Sequence, residues 1–498
     1  MKLSQFMRSF PRWHAAILTY GTLVAICIAP LFLGLNRPIY WLGFTLVIAG
    51  LLTSWVVIQG LGRAAAREWP MGALLTSLCA AYAAGIILPP MLAMVIGEDA
   101  TPIVSPLASI AAAMRILGYM LLSILILLLR PDTEQILRAT RILIGVMVLY
   151  AFYGLAGVQS PDLLWHGGES YTGFATGPFV NRNSFATFLA MGACLSTAYA
   201  MRLKDGNRAR RTSERLSGIS SLTVRMVPWS STILFIAATL ATGSRMGTFV
   251  LFLGIAVVVA LSQSTRSRDA IDYRAISISL LLPLLAFALS MVFIAISGGT
   301  VLDRVGSIEQ DFSVRMALYV NMISAILAQP FIGVGLDGFE QGFKAVQDLG
   351  VSTDVRWDNG HNTYLENWFE LGLLVGSLPI MIAIAALRIL LPALRARVPN
   401  AFILIASVAM ILVVAIHSLV DFSLEMPAIT ALLVYITSLG FLVAQRGLSP
   451  ASNKAALAVA DPGVVHEAAP IAVSHENSPQ GVIALRRRMA MLRNDGKL

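Results

Sequence analysis

Ala401-Phe402-Ile403-Leu404-Ile405-Ala406-Ser407-Val408-Ala409-Met410-Ile411-Leu412-Val413-Val414-Ala415-Ile416-His417-Ser418 is an apolar run without an acidic or basic side chain until its final turn. A helix needs about 20 apolar residues to cross roughly 30 Å of hydrocarbon. This run is long enough, and it ends in His417-Ser418 just ahead of Asp421. An apolar span therefore delivers polar side chains to one membrane face. Eleven further stretches have the same character, near 15–35, 40–60, 71–90, 110–129, 142–158, 181–201, 226–242, 246–262, 276–297, 362–387 and 428–445. Apolar residues make up 57% of the chain, charged residues 13%, and the mean hydropathy is +0.76. The composition excludes a soluble domain and predicts an all-α polytopic membrane protein with about 12 transmembrane helices. Pro89-Pro90 is expected to end the third span, and Arg115 lies inside the fourth.

Lys and Arg remain in cytoplasmic loops, which sets the orientation. With the N-terminus cytoplasmic, 28 of the 36 basic residues fall on the cytoplasmic side and 16 of the 27 acidic residues on the outer side. The net charge of +9 is then a topology signal, not a nucleic-acid surface. The first span, preceded by Lys2, Arg8 and Arg12, lacks a small-x-small cleavage site and reads as a retained anchor. Cys27, Cys79 and Cys194 all lie in spans, where they act as small apolar filler and not as disulfides or zinc ligands.

The chain divides into a membrane-embedded part, 1–445, and a tail, 446–498, rich in Ala, Pro, Ser and Val. The tail is expected to be disordered and cytoplasmic, with a short amphipathic helix near 479–493. The basic loop 202–225 faces anionic headgroups. Residues 298–361 are too polar to span and too long for a plain connection, so they predict a structured periplasmic loop. That loop holds a helical stretch, Val314–Leu327, and the Gly-rich run Gly333-Val334-Gly335-Leu336-Asp337-Gly338.

Chemistry-bearing residues cluster at the outer ends of the spans. Asn181-Arg182-Asn183 begins the sixth span, where unpaired N–H groups and the helix dipole favour an anion. Thr242-Gly243-Ser244-Arg245 turns between the seventh and eighth spans, and Arg245 has no acidic neighbour in sequence. A guanidinium at a membrane boundary needs a partner, and a diphosphate matches its planar fork. Arg315 offers a second phosphate contact or pairs with Asp311. In Asp358-Asn359-Gly360-His361-Asn362-Thr363-Tyr364-Leu365-Glu366, Thr363 and Glu366 have capping-box spacing, and Asn362, Glu366 and Glu370 share a helix face. His361 is placed to accept a proton near neutral pH. Asp421 is placed to orient an arginine or histidine, or to bind sugar hydroxyls. Tyr171, Phe174, Trp357, Tyr364 and Trp368 can stack on sugar rings or anchor the interface.

These stretches, in this order, resemble the O-antigen ligase and polymerase superfamily over about residues 140–445. The resemblance rests on Asn181-Arg182-Asn183-Ser184-Phe185-Ala186, Thr242-Gly243-Ser244-Arg245, Gln329-Pro330-Phe331-Ile332-Gly333-Val334-Gly335, His361-Asn362 with Glu370-Leu371-Gly372, and Asp421-Phe422 ahead of Pro427. Gly372 followed by Gly376 departs from the family spacing. The resemblance implies a GT-C-like, metal-independent glycosyltransferase in the bacterial inner membrane. Its donor would be an undecaprenyl-diphosphate-linked glycan, and its acceptor a second glycan, lipid A–core or a protein hydroxyl. Arg245, Arg182 and Arg315 would hold the diphosphate, with Asn181, Asn183, Asn362 and Glu366 as further substrate contacts. His361 would be the base, and Asp421 or Glu366 its orienter. No Asp-x-Asp pair stands on the outer face, so neither metal nor cofactor is expected. A lipid-linked glycan flippase, a protein O-oligosaccharyltransferase and an assembly-complex scaffold are the alternatives.

Overall fold

The computed structural model describes residues 3–60, 72–97, 101–164, 172–210, 218–265, 281, 288, 301–347, 357–395, 398 and 400–448. The expected span near 276–297, Tyr171 and the tail from 449 onward lie outside these residues. Met1–Ser449 form one compact unit.

Among the described residues all regular structure is helical. The helices are α1 (Leu3–Ile28), α2 (Pro38–Gln59), α3 (Gly72–Ile96), α4 (Pro106–Leu129), α5 (Thr133–Gln159), α6 (Arg182–Arg210) and α7 (Gly218–Ala241). They continue as α8 (Arg245–Ser264), α9 (Val301–Ala328), α10 (Phe339–Val346), α11 (Thr363–Gly376), α12 (Leu378–Leu394), α13 (Ala401–His417) and α14 (Pro427–Leu448). Eight of them are long and apolar enough to cross a membrane, and α11 with α12 make a ninth as a bent pair. The shorter apolar helices Met226–Ala241 and Ala401–His417 occupy the expected seventh and eleventh spans. The chain is an all-α polytopic membrane protein.

The core sits around α6, whose apolar window is completely buried. Its small residues allow close approach, as membrane helices require where no hydrophobic force drives them together. A Cβ on Gly254 of α8 would lie 2.6 Å from both Cys194 Sγ of α6 and Val413 Cγ2 of α13. Three helices therefore meet where Gly254 has no side chain. A satellite core formed by Leu318, Met322, Phe339, Phe343 and Phe369 fixes α9 and α10 onto α11.

Two expectations are corrected. Pro89-Pro90 does not end the third span: α3 runs on to Ile96 with both prolines inside it. Membrane helices tolerate this because surrounding groups satisfy the freed carbonyls. The tenth span is not one helix. It breaks at Gly372 (φ 73, ψ 167), and α11 and α12 meet at 65°. The cause is the loop ahead of α10. Leu373 N donates to Pro330 O (2.8 Å), Val334 N to Phe369 O (3.2 Å) and Gly335 N to Glu370 O (2.9 Å). A Cβ on Gly333 would stand 2.3 Å from Phe369 O. The Gly-rich run is thus inserted against the broken helix, and it supplies and accepts the hydrogen bonds that the break releases.

Candidate functional site

Asn181 caps α6. Its Oδ1 accepts from Asn183 N (2.7 Å) and Ser184 N (3.4 Å), which satisfies donors that a buried helix start would otherwise leave unpaired. The Arg182 guanidinium lies over the Phe174 ring, 4.4 Å from its centroid. Beside it runs the turn between α7 and α8. A Cβ on Gly243 (φ 62) would come within 3.2 Å of Arg182 Nη1 and 2.5 Å of Phe174, so only glycine lets this turn close there. Ser244 then caps α8 by accepting from Gly247 N (3.1 Å). Arg245, the first residue of α8, is exposed and forms no hydrogen bond or salt bridge among the described residues. Two arginines therefore stand at neighbouring helix starts, where the helix dipoles favour an anion.

The turn after α13 ties this corner to the rest of the site. Asp421 is buried. Its Oδ1 accepts from Asn183 Nδ2 (3.2 Å), and its other carboxylate oxygen accepts from the Ser423 hydroxyl. The Asp421 carbonyl accepts from Thr363 Oγ1 (3.0 Å), and the Val420 carbonyl accepts from Arg315 Nη1 (3.1 Å). Beneath it, the Thr187 hydroxyl of α6 bridges His417 Nδ1 and Ser423 Oγ. Helices α6, α9 and α11 thus converge on residues 420–423.

His361 completes the corner. It sits at φ 51, an unusual conformation for a residue with a side chain, just before α11. The Phe422 and Trp357 rings meet its imidazole edge-on, at centroid distances of 5.3 and 6.4 Å. Tyr319 donates its hydroxyl to the His361 carbonyl (2.9 Å). Nδ1 of His361 is buried and unpartnered among the described residues. Burial and the Arg315 guanidinium hold the imidazole below the ordinary histidine range, and Asp421 partly opposes them. The ring is therefore neutral at neutral pH.

Among the described residues no side chain hydrogen-bonds the His361 ring. Asp421 is committed to Asn183 and Ser423, and Glu366 accepts from Gly360 N (2.7 Å). Aromatic packing holds the ring in place. The capping box is also corrected. Asn362 is the cap, accepting from Tyr364 N (3.0 Å) and Leu365 N (3.1 Å), while Thr363 uses its hydroxyl on the Asp421 carbonyl. Of the aromatics, Tyr364 donates to Ala415 O (2.6 Å) and Trp368 to Ser377 Oγ (3.0 Å), so both brace helices.

Glu366 and Glu370 face away from His361, into a cavity of about 880 Å³. Glu370 Oε1 accepts from Phe339 N (3.0 Å), which also ties the Gly-rich loop down. Arg115, Asp337, Asp358 and Glu425 share the polar end of this cavity. Glu425 is hydrogen-bonded to Glu366, and burial together with the Glu370 carboxylate raises it well above the usual carboxylate range. Neither Arg115 nor Glu425 stands among the residues expected at the site. The available signal was a lone guanidinium inside an apolar helix, a costly placement unless something uses it.

No curated protein matches the chain. The family model described as O-antigen ligase matches residues 230–380, a segment that contains Arg245, Arg315, His361 and Glu366. Over that segment, about three-tenths of the chain, the sequence is similar to the O-antigen ligase family.

Proposed function

We propose that the protein transfers or polymerises a glycan from an undecaprenyl-diphosphate-linked donor at the outer face of the bacterial inner membrane. The observation that supports this most is the convergence of α6, α9 and α11 on residues 420–423. It gathers Arg315, His361 and Asp421 into one corner, with Arg182 and Arg245 at the neighbouring helix starts.

In this reading Arg245, Arg182 and Arg315 hold the diphosphate. The neutral His361 takes the proton of the acceptor hydroxyl as that oxygen attacks the anomeric carbon. The bond between that carbon and the phosphate oxygen breaks, and its electron pair leaves on the diphosphate. The guanidinium groups offset the developing charge, as preorganised donors do in other transfer reactions. Asp421 positions the corner and does not itself exchange a proton. A donor charge neutralised by arginines needs no divalent cation.

Purified protein with a lipid-linked donor tests this. Arg245→Ala should lose roughly 2–4 kcal/mol of transition-state stabilisation, by analogy with a lost oxyanion donor. That is a drop of about 30- to 1000-fold in kcat/KM. A variant as active as the parent would remove Arg245 from the reaction.

A further inference from the structure

The large cavity behind α11 is lined by carboxyl groups and a single guanidinium, unlike the arginine corner. On α14 its lining runs from Thr430 to Phe441. At 1.5 Å per residue that is a slot of about 16 Å along the helix axis. Its lower part is apolar, built by residues such as Met120 and Ile124 of α4, Ala383 of α12, Ile411 of α13 and Val434 of α14. Its upper end holds Glu366, Glu370, Glu425, Asp337 and Asp358 around the single guanidinium of Arg115.

Two side chains lining the cavity, one half-buried and one buried, lack hydrogen-bond partners. Arg115 stands in a membrane-spanning helix and makes no hydrogen bond or salt bridge among the described residues, although Asp337, Glu425 and Glu370 lie within electrostatic reach. Thr437 is 9% exposed, lines the cavity, and leaves its hydroxyl unpartnered. Buried polar groups are nearly always satisfied, so each points to a polar group of a ligand. The charge selects among ligands. Five carboxyl groups and one guanidinium line this end, so a diphosphate would find a single cation there. A head rich in hydroxyls suits both kinds of group, donating to the carboxylates and accepting from Arg115.

We propose that this cavity is the acceptor site: it takes an amphiphile whose chain fills the apolar slot and whose sugar hydroxyls meet Arg115, Glu366 and Glu370. This rests on the glycan-transfer reading and names where the second substrate binds. The two sites share the start of α11. Asp358 and Thr363 line the cavity, His361 lies between them in sequence, and Thr363 also bonds the Asp421 carbonyl of the arginine corner. The cavity and the arginine corner thus border the same turn of chain.

The test uses the full chain in phosphatidylcholine nanodiscs with two probes. One is tritiated dodecyl maltoside below its micelle concentration, a sugar head on a plain chain. The other is farnesyl diphosphate, a short isoprenoid with the donor's charge. Ala383→Trp, which fills the slot, should weaken maltoside binding by about tenfold or more and leave farnesyl diphosphate binding unchanged. Thr437→Val, which keeps the volume, should weaken maltoside binding more modestly. Unchanged maltoside binding in both variants, or loss of farnesyl diphosphate from Ala383→Trp alone, overturns the proposal. If Ala383→Trp does not accumulate, Ile124→Phe makes the same test. Arg245→Ala checks the underlying reading independently: it should lose farnesyl diphosphate and keep maltoside.

Discussion

Removing the Asp421 carboxylate should loosen the site and the fold together. In Asp421→Ala the half-buried Asn183 amide and the buried Ser423 hydroxyl lose their acceptor. An unsatisfied buried donor costs roughly 1–3 kcal/mol and a half-exposed one less, so the substitution costs roughly 1–4 kcal/mol. Asp421→Asn keeps the volume and one acceptor oxygen, and its cost should be about half as large. Thermal unfolding of the purified protein in detergent should rank parent, Asn variant and Ala variant in falling order. Glycan transfer at a temperature where all three stay folded should fall in the same order. Asn183→Ala supplies the second edge of a double-mutant cycle. Since Asn183 and Asp421 are hydrogen-bonded, their effects should combine less than additively. Full additivity, or an Ala variant as stable as the parent, would refute the claim that this carboxylate joins α6 to the turn after α13.

Other outcomes follow from the same geometry. In the proposed reaction neutral His361 is the active form, and Arg315 helps keep its pKa low; Arg315→Gln should move the acid limb of the kcat/KM profile to higher pH, and an unmoved limb would separate the two residues. Gly372→Ala forces a side chain into a left-handed position and puts its Cβ 2.4 Å from the Phe331 carbonyl oxygen. It should cost about 1–3 kcal/mol in backbone strain, with a further steric cost, and would appear as a lowered unfolding temperature. Transfer should persist in EDTA; loss that Mg²⁺ or Mn²⁺ restores would contradict neutralisation by arginines alone.

The helical spans were legible because a length of apolar residues has few other uses. The interruptions were not. Pro89-Pro90 looks like a stop in sequence, yet α3 continues through it, since a helix in a bundle finds other partners for its carbonyls. The break at Gly372 depends on residues some forty positions earlier, around Phe331 and Gly333, folding back onto it. Local spacing carries no trace of that contact. The arginine corner was readable as a set of polar residues at span ends, and Asn183, Arg315 and Asp421 do come together. Partnerships inside the set were less readable. The resemblance offered Glu366 as an orienter of His361, but the helix turns it toward the cavity and the Gly360 N–H. The cavity itself, built from five spans, has no signature beyond the misplaced charge of Arg115.

The central claim is most directly tested by the glycans of cells whose only copy of the protein carries His361→Ala. With the variant present in the membrane at normal abundance, the account predicts no transferred or polymerised product and an accumulated lipid-linked precursor. Product of normal amount and length from that strain would contradict it.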